Sequence, residues 1–516
     1  MVSPSLQHDW MRPIENPAGE CAAAAATEHL DVLIVGAGVS GIDAAYRLQT
    51  LCPTKSYCIL EARDTIGGTW DLFRYPGVRS DSDMHTLGFP FRPWRGEKSI
   101  VDGPSIRQYV EDTAGQFGID RKIRFGHRAV RASWCSAQAR WTVGPECEPD
   151  RRTELVTCGF LYMCSGYYDY ASGHAPAFPG MEQYKGRLVH PQHWPEDLDY
   201  AGKTIAVIGS GATAMTLVPA MAATAAHVTM VQRSPSYVVS RSTRDRLAVW
   251  AHRRLPAGIA DALVRWKDVL VGAATYRLAR RWPKLVRRAI LAGVHRGVGP
   301  DHDVETNFSP PYQPWDQRIC LIPDGDLFSA IRSGKVSVVT GAVETFTATG
   351  LRLTSGKDLA ADVIVSATGL VLKLMGGMEI VVDGKRADLA DALVYKGMMF
   401  SDIPNLALAF GYINASWTLK CDLTARTVCR LLGHMDRHGY SSCVPRLRDT
   451  SIGREPMLDF TSGYVRRAIG VLPLQGTKAP WRVHHNYLLD MLSHRFGPVE
   501  DGVLEFGNRG TKEDPT

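Results

Sequence analysis

The sequence lacks any hydrophobic stretch long enough to span a membrane, and it does not open with the apolar segment of a secretory signal. Its 11 cysteines form no Cys-x-x-Cys pair, no zinc-ligand spacing and no extracellular disulfide framework. These absences argue against a membrane-embedded protein, a zinc module and a small secreted domain. We therefore expect a chain without a metal site, located in the cytoplasm, which is a reducing compartment.

The composition is that of an ordinary globular protein, with 45% hydrophobic and 22% charged residues over 516 positions. A chain of this length is too long for one hydrophobic core and fits two or three domains. The first 28 residues, which contain three prolines and an alanine run, are expected to form a flexible tail.

Two glycine-rich turns each follow a short β-branched strand and precede a helix of small residues. The first turn, 36–41, follows the strand at 32–35, and the second, 209–214, follows the strand at 205–208. In this setting the glycines allow a sharp turn that brings a pyrophosphate to a helix N-terminus. Two dinucleotide-binding turns in one chain indicate redox chemistry. The residues predicted to bind the nucleotides at these turns are Gly36, Gly38, Ser40, Gly41, Gly209, Gly211, Ala212 and Thr213.

The first turn is predicted to bind FAD. Glu61 closes the next strand about 20 residues after Gly41, where a carboxylate accepts the ribose hydroxyls of an unphosphorylated adenosine. The following segment, 64–70, resembles the stretch that lines the flavin in FAD-dependent oxidoreductases. It adds Thr69 and Trp70 to the predicted cofactor contacts.

The second turn is predicted to bind NADPH. The corresponding strand ends in Gln232-Arg233-Ser234 and carries no carboxylate. A guanidinium at Arg233 binds a 2′-phosphate in a charge-assisted pair, whereas a carboxylate would repel that group. Arg233 and Ser234 are therefore the predicted contacts that select NADPH over NADH.

Between Arg241 and Arg296 the chain carries fourteen lysines and arginines against three aspartates. Tryptophans and leucines recur among them at helical spacing, and Pro256 and Pro283 are predicted to separate two or three amphipathic helices. One interpretation is a helical insertion over residues 241–298 with its apolar face on the core and its arginines solvated. The alternative is contact with an anionic membrane surface, at the inner face of the cell membrane, that delivers apolar substrates. No nucleic-acid-binding module is recognised, so no nucleic-acid partner is expected.

The segment after the first turn bears on the electron acceptor. Pyridine-nucleotide disulfide reductases carry a redox cysteine pair soon after a Gly-Gly-Thr turn, whereas residues 70–81 contain no cysteine. Cys52 and Cys58 precede that turn, so a dithiol mechanism is poorly supported. Oxygen is then the natural electron acceptor.

The segment between the two turns resembles a family fingerprint. Residues 184–195 are similar to the F-x-G-x-x-x-H-x-x-x-W-P motif of Baeyer–Villiger monooxygenases, with Tyr184 in place of phenylalanine. The resemblance implies a linker between domains that supports NADPH-dependent motion, and a hinge role for its histidine is preferred to a catalytic one. The linker residues that match the motif are Gly186, His190, Trp194 and Pro195.

The resemblance extends over about residues 29–508. Further segments are similar to the subfamily of class B flavoprotein monooxygenases that contains the mycobacterial ethionamide-activating enzyme; they are residues 67–84, 190–200, 314–318 and 411–420. The expected fold class is α/β, with two Rossmann-like dinucleotide-binding domains, the second inserted in the first. The expected boundaries are 29–168 and 370–516 for the FAD domain, and 169–369 for the NADPH domain, which carries the helical insertion.

The resemblance also implies the chemistry. Reduced flavin reacts with O2 to give a C4a-peroxyflavin, whose negative charge is stabilised by a fixed cation. Arg318 matches the family's arginine, although Gln317 precedes it where relatives often have lysine. Asp81 matches the aspartate that lies near the flavin and holds that arginine. The expected substrates are apolar ketones, which become esters or lactones, or sulfur compounds such as thioethers and thioamides.

Two other functions stay open. One is a flavin monooxygenase that oxygenates nitrogen or sulfur and has little ketone activity. The other is an FAD- and NADPH-dependent reductase or oxidase that transfers no oxygen to a substrate. Near the C-terminal half, residues 414–417 precede a helix predicted over 422–435, whose N-terminus would face the flavin ring. Trp417 alternatively packs in the core.

Overall fold

The computed structural model describes residues 28–147, 155–458 and 460–508. The tail predicted over residues 1–28 lies outside this range except for Glu28, the first residue of a strand. In chain order the strands are β1 (Glu28–Val35), β2 (Tyr57–Leu60), β3 (Ile123–Arg124), β4 (His127–Cys135), β5 (Arg140–Cys147), β6 (Val156–Met163), β7 (Tyr168–Gly173), β8 (Arg187–Val189), β9 (Thr204–Ile208), β10 (His227–Gln232), β11 (Val238–Arg241), β12 (Cys320–Pro323), β13 (Val336–Thr340), β14 (Val343–Thr347), β15 (Gly350–Leu353), β16 (Asp358–Ala360), β17 (Val363–Ser366), β18 (Leu370–Leu372), β19 (Glu379–Val382), β20 (Lys385–Arg386), β21 (Val394–Tyr395), β22 (Met399–Phe400), β23 (Leu406–Leu408), β24 (Ser442–Pro445), β25 (Arg454–Pro456), β26 (Leu474–Gly476) and β27 (Leu504–Gly507).

Helices cover the sheets and form the insertion. In chain order the α-helices are α1 (Val39–Leu51), α2 (Thr69–Leu72), α3 (Met84–Leu87), α4 (Gly103–Gln116), α5 (Ala212–Ala222), α6 (Arg246–Arg254), α7 (Ala257–Arg281), α8 (Pro283–Val298), α9 (Val304–Phe308), α10 (Asp326–Arg332), α11 (Trp417–His438), α12 (Gly463–Arg467) and α13 (Tyr487–Phe496). Single 3-10 turns occupy Asp120–Lys122, Met181–Gln183, Pro191–His193 and Leu374–Gly377.

The larger sheet has nine strands in the order β20-β19-β4-β5-β6-β1-β2-β3, with β23 beside β6. Strand β1 pairs in parallel with β2 and with β6. Its last four residues, 32–35, are all buried, as expected for a parallel strand that is covered on both faces. Strands β19 and β23, which come late in the chain, pair in parallel with β4 and β6. This sheet is therefore built from both ends of the chain.

The second sheet has five parallel strands in the order β13-β10-β9-β17-β8. All of its strands lie between Arg187 and Ser366, and so between the two halves of the larger sheet. Helix α5 follows β9 directly after the second glycine-rich turn. The expected fold class is confirmed: the chain contains two Rossmann-like units, with the second nested in the first.

The basic insertion forms three helices, α6, α7 and α8, separated at Pro256 and next to Pro283, as predicted. The expectation that its apolar face packs on the core is wrong for the large side chains. Ten large apolar side chains of this region are exposed: Leu247, Trp250, Ile259, Leu263, Trp266, Leu270, Val271, Leu278, Trp282 and Leu285. The face that the helices bury consists of alanine and valine with one aspartate: Ala248, Ala251, Ala260, Val264, Asp268, Val269, Ala279, Val294 and Val298. Small residues let these helices lie close to their neighbours and leave the bulky side chains outside.

Helix α11 begins at Trp417, ahead of the predicted start at residue 422. Its first turns carry two charged residues, Lys420 and Asp422. Both side chains are buried because Lys420 Nζ lies 3.0 Å from Asp490 and Asp422 lies 2.5 Å from an Arg47 nitrogen. The partners are distant in sequence, so the pattern of the segment alone did not reveal the pairing. Across the residues that the structure describes, no helix combines the length and apolar character needed to cross a bilayer.

Candidate active site

A cavity of about 610 Å3 lies where the two glycine-rich turns meet. Most of the residues that were predicted to lie near the flavin line this cavity, and so do the first residues of α5. The predicted site residues that line the cavity are Gly36, Gly38, Ser40, Glu61, Thr69, Trp70, Asp81, Ala212, Thr213 and Arg318. The predicted residues that are not part of this wall are Gly41, Gly209, Gly211, Arg233, Ser234, Gly186, His190, Trp194 and Pro195.

The glycines of the first turn have two different tasks. Gly36 has a φ of +107°, and a Cβ there would lie 2.6 Å from the carbonyl oxygen of Cys164. A Cβ on Gly41 would lie 1.9 Å from the carbonyl oxygen of Gly36, so both positions require glycine for the fold itself. At Gly38, by contrast, the nearest atom is 3.6 Å away. Gly38 therefore leaves space on the cavity side, which fits the close approach of a pyrophosphate.

The second turn repeats this division. Gly209 has a φ of +143°, and a Cβ there would lie 2.3 Å from the carbonyl oxygen of Ala367, whereas a Cβ on Gly211 would meet nothing within 4 Å. The hydroxyl of Ser210 donates to the carbonyl oxygen of Ser234 at 2.9 Å and ties this turn to the end of β10. The exposed Arg233 adjoins that contact. The open space at Gly211 fits a second pyrophosphate.

Glu61 is buried at the end of β2 with its carboxylate fixed by two backbone groups. Its Oε2 accepts from the Ala37 N–H at 2.7 Å, and its Oε1 accepts from the Arg63 N–H at 3.0 Å. Burial raises the pKa of Glu61, although these hydrogen bonds act against that effect. Each carboxylate oxygen keeps a second lone pair for a ribose hydroxyl.

The sequence analysis did not single out Asp71, whose carboxylate contacts three arginines beside the cavity. Its carboxylate lies 3.1 Å from Arg63 Nε, 3.1 Å from Arg74 Nη2 and 3.1 Å from Arg107 Nη1. Burial acts to raise the pKa of Asp71, but hydrogen bonds from Thr65 and Arg63 outweigh it and the pKa is lowered. This cluster fixes α2, the helix that carries Thr69 and Trp70. Arg63 and Arg74 are close to Asp71 in sequence, whereas Arg107 comes from α4.

Arg318 and Asp81 form a two-point ion pair at the cavity wall. Arg318 Nε lies 2.8 Å from Asp81 Oδ2, and Arg318 Nη2 donates to Asp81 Oδ1 at 3.1 Å. The Arg318 side chain sits deep in the protein, but 36% of its surface remains exposed because it borders the cavity. The charge of Asp81 raises the pKa of Arg318, so the guanidinium stays protonated. The structure therefore contains the predicted ion pair between Asp81 and Arg318.

Aromatic residues complete this part of the wall; they are Trp417 together with Tyr167 and Tyr168, which the sequence analysis did not single out. The Tyr167 ring stacks on Trp417 with centroids 5.1 Å apart, and the Tyr167 and Tyr168 hydroxyls lie 2.9 Å from each other. Burial raises the pKa of Tyr168 to about 12, so its hydroxyl remains neutral. Trp417 Nε1 donates to the hydroxyl of Ser40 at 2.9 Å. The first residue of α11 is thereby joined to the first turn.

The linker residues contact neighbouring segments of the second unit and the end of β7. The Tyr184 hydroxyl, absent from a phenylalanine, donates to the carbonyl oxygen of Ala361 at 2.9 Å. His190 Nδ1 accepts from the Gln192 N–H at 3.2 Å, its Nε2 is buried without a partner, and a Cβ on Gly173 would overlap its ring. Burial lowers the pKa of His190, which favours the neutral ring. The hinge role of this segment stays a prediction.

Gly186, Trp194 and Pro195 lie in the same connection. A Cβ on Gly186 would lie 2.4 Å from the carbonyl oxygen of Asp362, so glycine allows β8 to approach β17. Trp194 packs edge-on against Tyr200 with ring centroids 6.4 Å apart, and Pro195 follows it. The two aromatic rings anchor the linker to the core of the second unit.

Arg467 is a further residue that the sequence analysis missed. It lies at the end of α12, and its Nη2 donates to the carbonyl oxygen of Leu370 at 3.4 Å. Burial and the positive charge of Arg233 lower the pKa of Arg467. Repulsion between two guanidinium groups indicates a place that an anion would stabilise.

Comparison with known sequences gives extensive similarity. The family described as flavin-binding monooxygenase-like matches residues 29–249. The FAD-containing monooxygenase EthA of Mycobacterium tuberculosis is 53% identical over 484 residues, which span 94% of this chain and 99% of that protein. The putative FAD-containing monooxygenase MymA of the same species is 49% identical over 484 residues, which span 93% of this chain and 98% of that protein.

Comparison with solved structures concerns the fold, because the sequence identities are low. An oxidized steroid monooxygenase bound to NADP superposes with a TM-score of 0.73 at 20% identity, covering 93% of this chain and all of that one, 100%. The closed crystal structure of cyclohexanone monooxygenase superposes with a TM-score of 0.65 at 21% identity, covering 81% of this chain and 87% of that one.

Proposed function

This chain belongs to the family of FAD-containing, flavin-binding monooxygenases, and from that membership we propose that it uses NADPH and O2 to insert one oxygen atom beside the carbonyl group of an apolar ketone. The flavin, when bound, supplies the redox chemistry, because it accepts hydride from NADPH and reacts with O2 once reduced. The observation that carries the proposal is that residues of both glycine-rich turns and the Arg318–Asp81 pair line one cavity.

In this proposal Arg318 is the catalytic cation. It presents a fixed positive charge where negative charge develops on oxygen during the transfer. Asp81 holds the guanidinium through two contacts, so that its orientation is set before substrate arrives. No side chain acts as the nucleophile.

The nucleotides are assigned to the turns as follows. FAD lies along the first turn, with its pyrophosphate at Gly38 and its ribose at Glu61. NADPH lies along the second turn, with its pyrophosphate at Gly211. Arg233 and Arg467 together bind the 2′-phosphate, which relieves the repulsion between the two guanidinium groups.

The substrate is apolar in this proposal because the cavity wall carries a set of apolar and aromatic side chains. Besides Tyr167 and Trp417, they are Phe410, Leu458, Phe460 and Val465. Such a surface favours a hydrophobic ketone, and it equally accepts a thioether or thioamide of similar size.

The proposal is tested with the FAD-loaded enzyme, NADPH and ¹⁸O2. Phenylacetone should become an ester that carries one ¹⁸O atom, with one NADPH consumed for each ester formed. Methyl phenyl sulfide, assayed in parallel, measures the balance with sulfur oxygenation. If the sulfide is oxidised and the ketone is untouched, the enzyme is a sulfur-oxygenating monooxygenase. If NADPH is consumed with hydrogen peroxide as the sole oxygen product, it is a reductase or oxidase.

We further propose that the insertion contacts an anionic membrane surface. Eleven of its fourteen lysines and arginines are exposed: Arg241, Arg244, Arg246, Arg253, Arg254, Arg277, Arg280, Arg281, Lys284, Arg288 and Arg296. Its three aspartates are each engaged in ion pairs: Asp245, Asp261 and Asp268. Exposed apolar side chains such as Trp250, at 52%, and Leu285, at 59%, stand among these cations. Arg241, Arg244 and Arg280 each pair with a carboxylate, but a large excess of positive charge remains. Apolar groups amid such an excess fit an anionic bilayer interface.

Vesicle sedimentation checks this contact. The protein should bind vesicles that contain phosphatidylglycerol, and 0.5 M salt should release it, because screening weakens the attraction. Replacing Trp250, Trp282 and Leu285 together by serine should lower the partition coefficient about tenfold. Serine at the equally exposed Ile469 and Val471, outside the insertion, is the matched control and should have no effect. Equal binding to neutral phosphatidylcholine vesicles would contradict the proposal.

A further inference from the structure

A second cavity of about 630 Å3 lies between the helical insertion and the C-terminal helices. Helix α7 forms one side, α11 and α13 form the other, and the segment that follows α3 closes the floor. The two cavities share no lining residue. The volume is in the range of sites that bind small organic molecules.

Four arginines line this cavity, against two carboxylates. Both carboxylates already have cationic partners outside the lining. Asp261 lies 2.8 Å from Arg95, and Asp422 lies 2.5 Å from Arg47 as well as 2.9 Å from Arg426 of the lining, so three of the four lining arginines are left to set the excess charge. The positive charge of the lining arginines therefore exceeds the negative charge that opposes it.

Two of these arginines are held in place by uncharged groups. Arg265 Nη1 donates to the carbonyl oxygens of His85 and Gly88, each at 2.9 Å. Arg430 donates to the carbonyl oxygens of His494 and Gly497, the latter at 3.0 Å. Carbonyl oxygens orient a guanidinium without neutralising it, so both side chains bring a fixed positive charge to the cavity.

Two histidines of the lining, His85 and His494, are favoured in the neutral form and so add no charge to the cavity. Burial lowers the pKa of His85, and burial together with Lys420 lowers the pKa of His494 well below its usual value. His252 contacts Asp261 at 2.9 Å. The field inside the cavity is thus set by the arginines.

The rest of the wall is apolar and aromatic. Its principal members are Phe89, Trp94, Trp266, Val269, Leu423 and Met491. Trp266 of α7 and Tyr487 of α13 face each other with ring centroids 6.1 Å apart. A ligand that fits this wall carries an apolar body as well as an anionic group.

From this combination we infer that the second cavity is a binding site for an amphipathic anion, such as a medium-chain carboxylate. The anionic group pairs with Arg265 and Arg430, and the chain packs against Trp266, Leu423 and Met491. The site is separate from the oxygen-transfer cavity. Its occupation does not depend on the reaction proposed for that cavity.

Calorimetric titration of the FAD-loaded full chain tests the inference. Decanoate should bind with a stoichiometry of one, and decyltrimethylammonium, of equal chain length and opposite charge, should bind at least tenfold more weakly. Arg265→Gln and Arg430→Gln should each lower the decanoate affinity about tenfold. Arg437→Gln, an exposed arginine of the same helix as Arg430, is the matched control and should leave the affinity unchanged.

Because Arg265 and Arg430 also bind backbone carbonyls, a second variant tests the same point without removing those bonds. Met491→Trp fills the apolar part of the cavity from half-buried α13 and should abolish decanoate binding. Arg318→Ala, in the other cavity, should leave decanoate affinity intact. Absence of saturable decanoate binding, equal affinity for the two charges, or unchanged affinity in Met491→Trp would each overturn the inference.

Discussion

Replacing Arg318 by alanine is expected to lower the rate of oxygenated product formation by about 10²–10³-fold, as removal of one preorganised charge contact does in other enzymes. NADPH should still reduce the flavin, so NADPH consumption continues with release of hydrogen peroxide. Oxygen transfer should be lost while NADPH consumption continues, because Arg318 faces the cavity and its partner Asp81 holds it there. Product analysis and peroxide assay on the same sample measure both quantities.

Two variants control this experiment. Arg352→Ala removes an arginine with the same 2.8 Å Nε contact to an aspartate, Asp358, on an exposed hairpin, and should keep full activity. Arg318→Lys keeps the charge but loses the second contact to Asp81, so an intermediate rate is expected. Retention of product formation within tenfold in Arg318→Ala would contradict the assigned role.

Replacing Arg233 by alanine is expected to raise the KM for NADPH by about 10- to 100-fold while the KM for NADH stays near its original value. The reason is that a guanidinium pairs with the 2′-phosphate, which NADH lacks. Because Arg467 lies close enough to Arg233 for their charges to repel, Arg467→Ala should have an effect of the same kind. The ratio of kcat/KM for the two nucleotides is the measured quantity.

Arg466→Ala is the matched control for the second arginine, since Arg466 is the exposed neighbour on the same helix. It should leave the nucleotide preference unchanged. A parallel loss of both NADPH and NADH activity in Arg233→Ala would instead indicate a structural defect, and the 2′-phosphate would then have to be bound elsewhere.

The sequence predicted the parts of the site that depend on local backbone. Gly36, Gly41 and Gly209 occupy positions where a Cβ would collide with the backbone, and such positions produce a motif with fixed spacing. Glu61 could be found for the same reason, because the length of one helix and one strand sets its distance from the turn. The nested order of the two sheets was expected only from the family resemblance, because the order of the two motifs along the chain fits two consecutive domains equally well.

The sequence did not predict contacts between distant segments. Trp417 donates to Ser40, and Arg467 donates to the carbonyl oxygen of Leu370, although these partners stand 377 and 97 positions apart in the sequence. The prediction that the apolar face of the insertion is buried failed for another reason. Helical spacing located its three helices, but a pattern of apolar residues does not state which face is covered, and here alanine and valine form the buried face.

The nested topology has a consequence for the order in which each molecule matures. Strands β4 and β6 leave the ribosome early, whereas their neighbours β19 and β23, and the helix α11 that borders the flavin cavity, are synthesised only after the whole second unit. Domains fold as units during synthesis, so the inner unit completes itself while the outer one still waits for its remaining strands. The wall of the flavin cavity is thus completed only after the whole second unit has been synthesised.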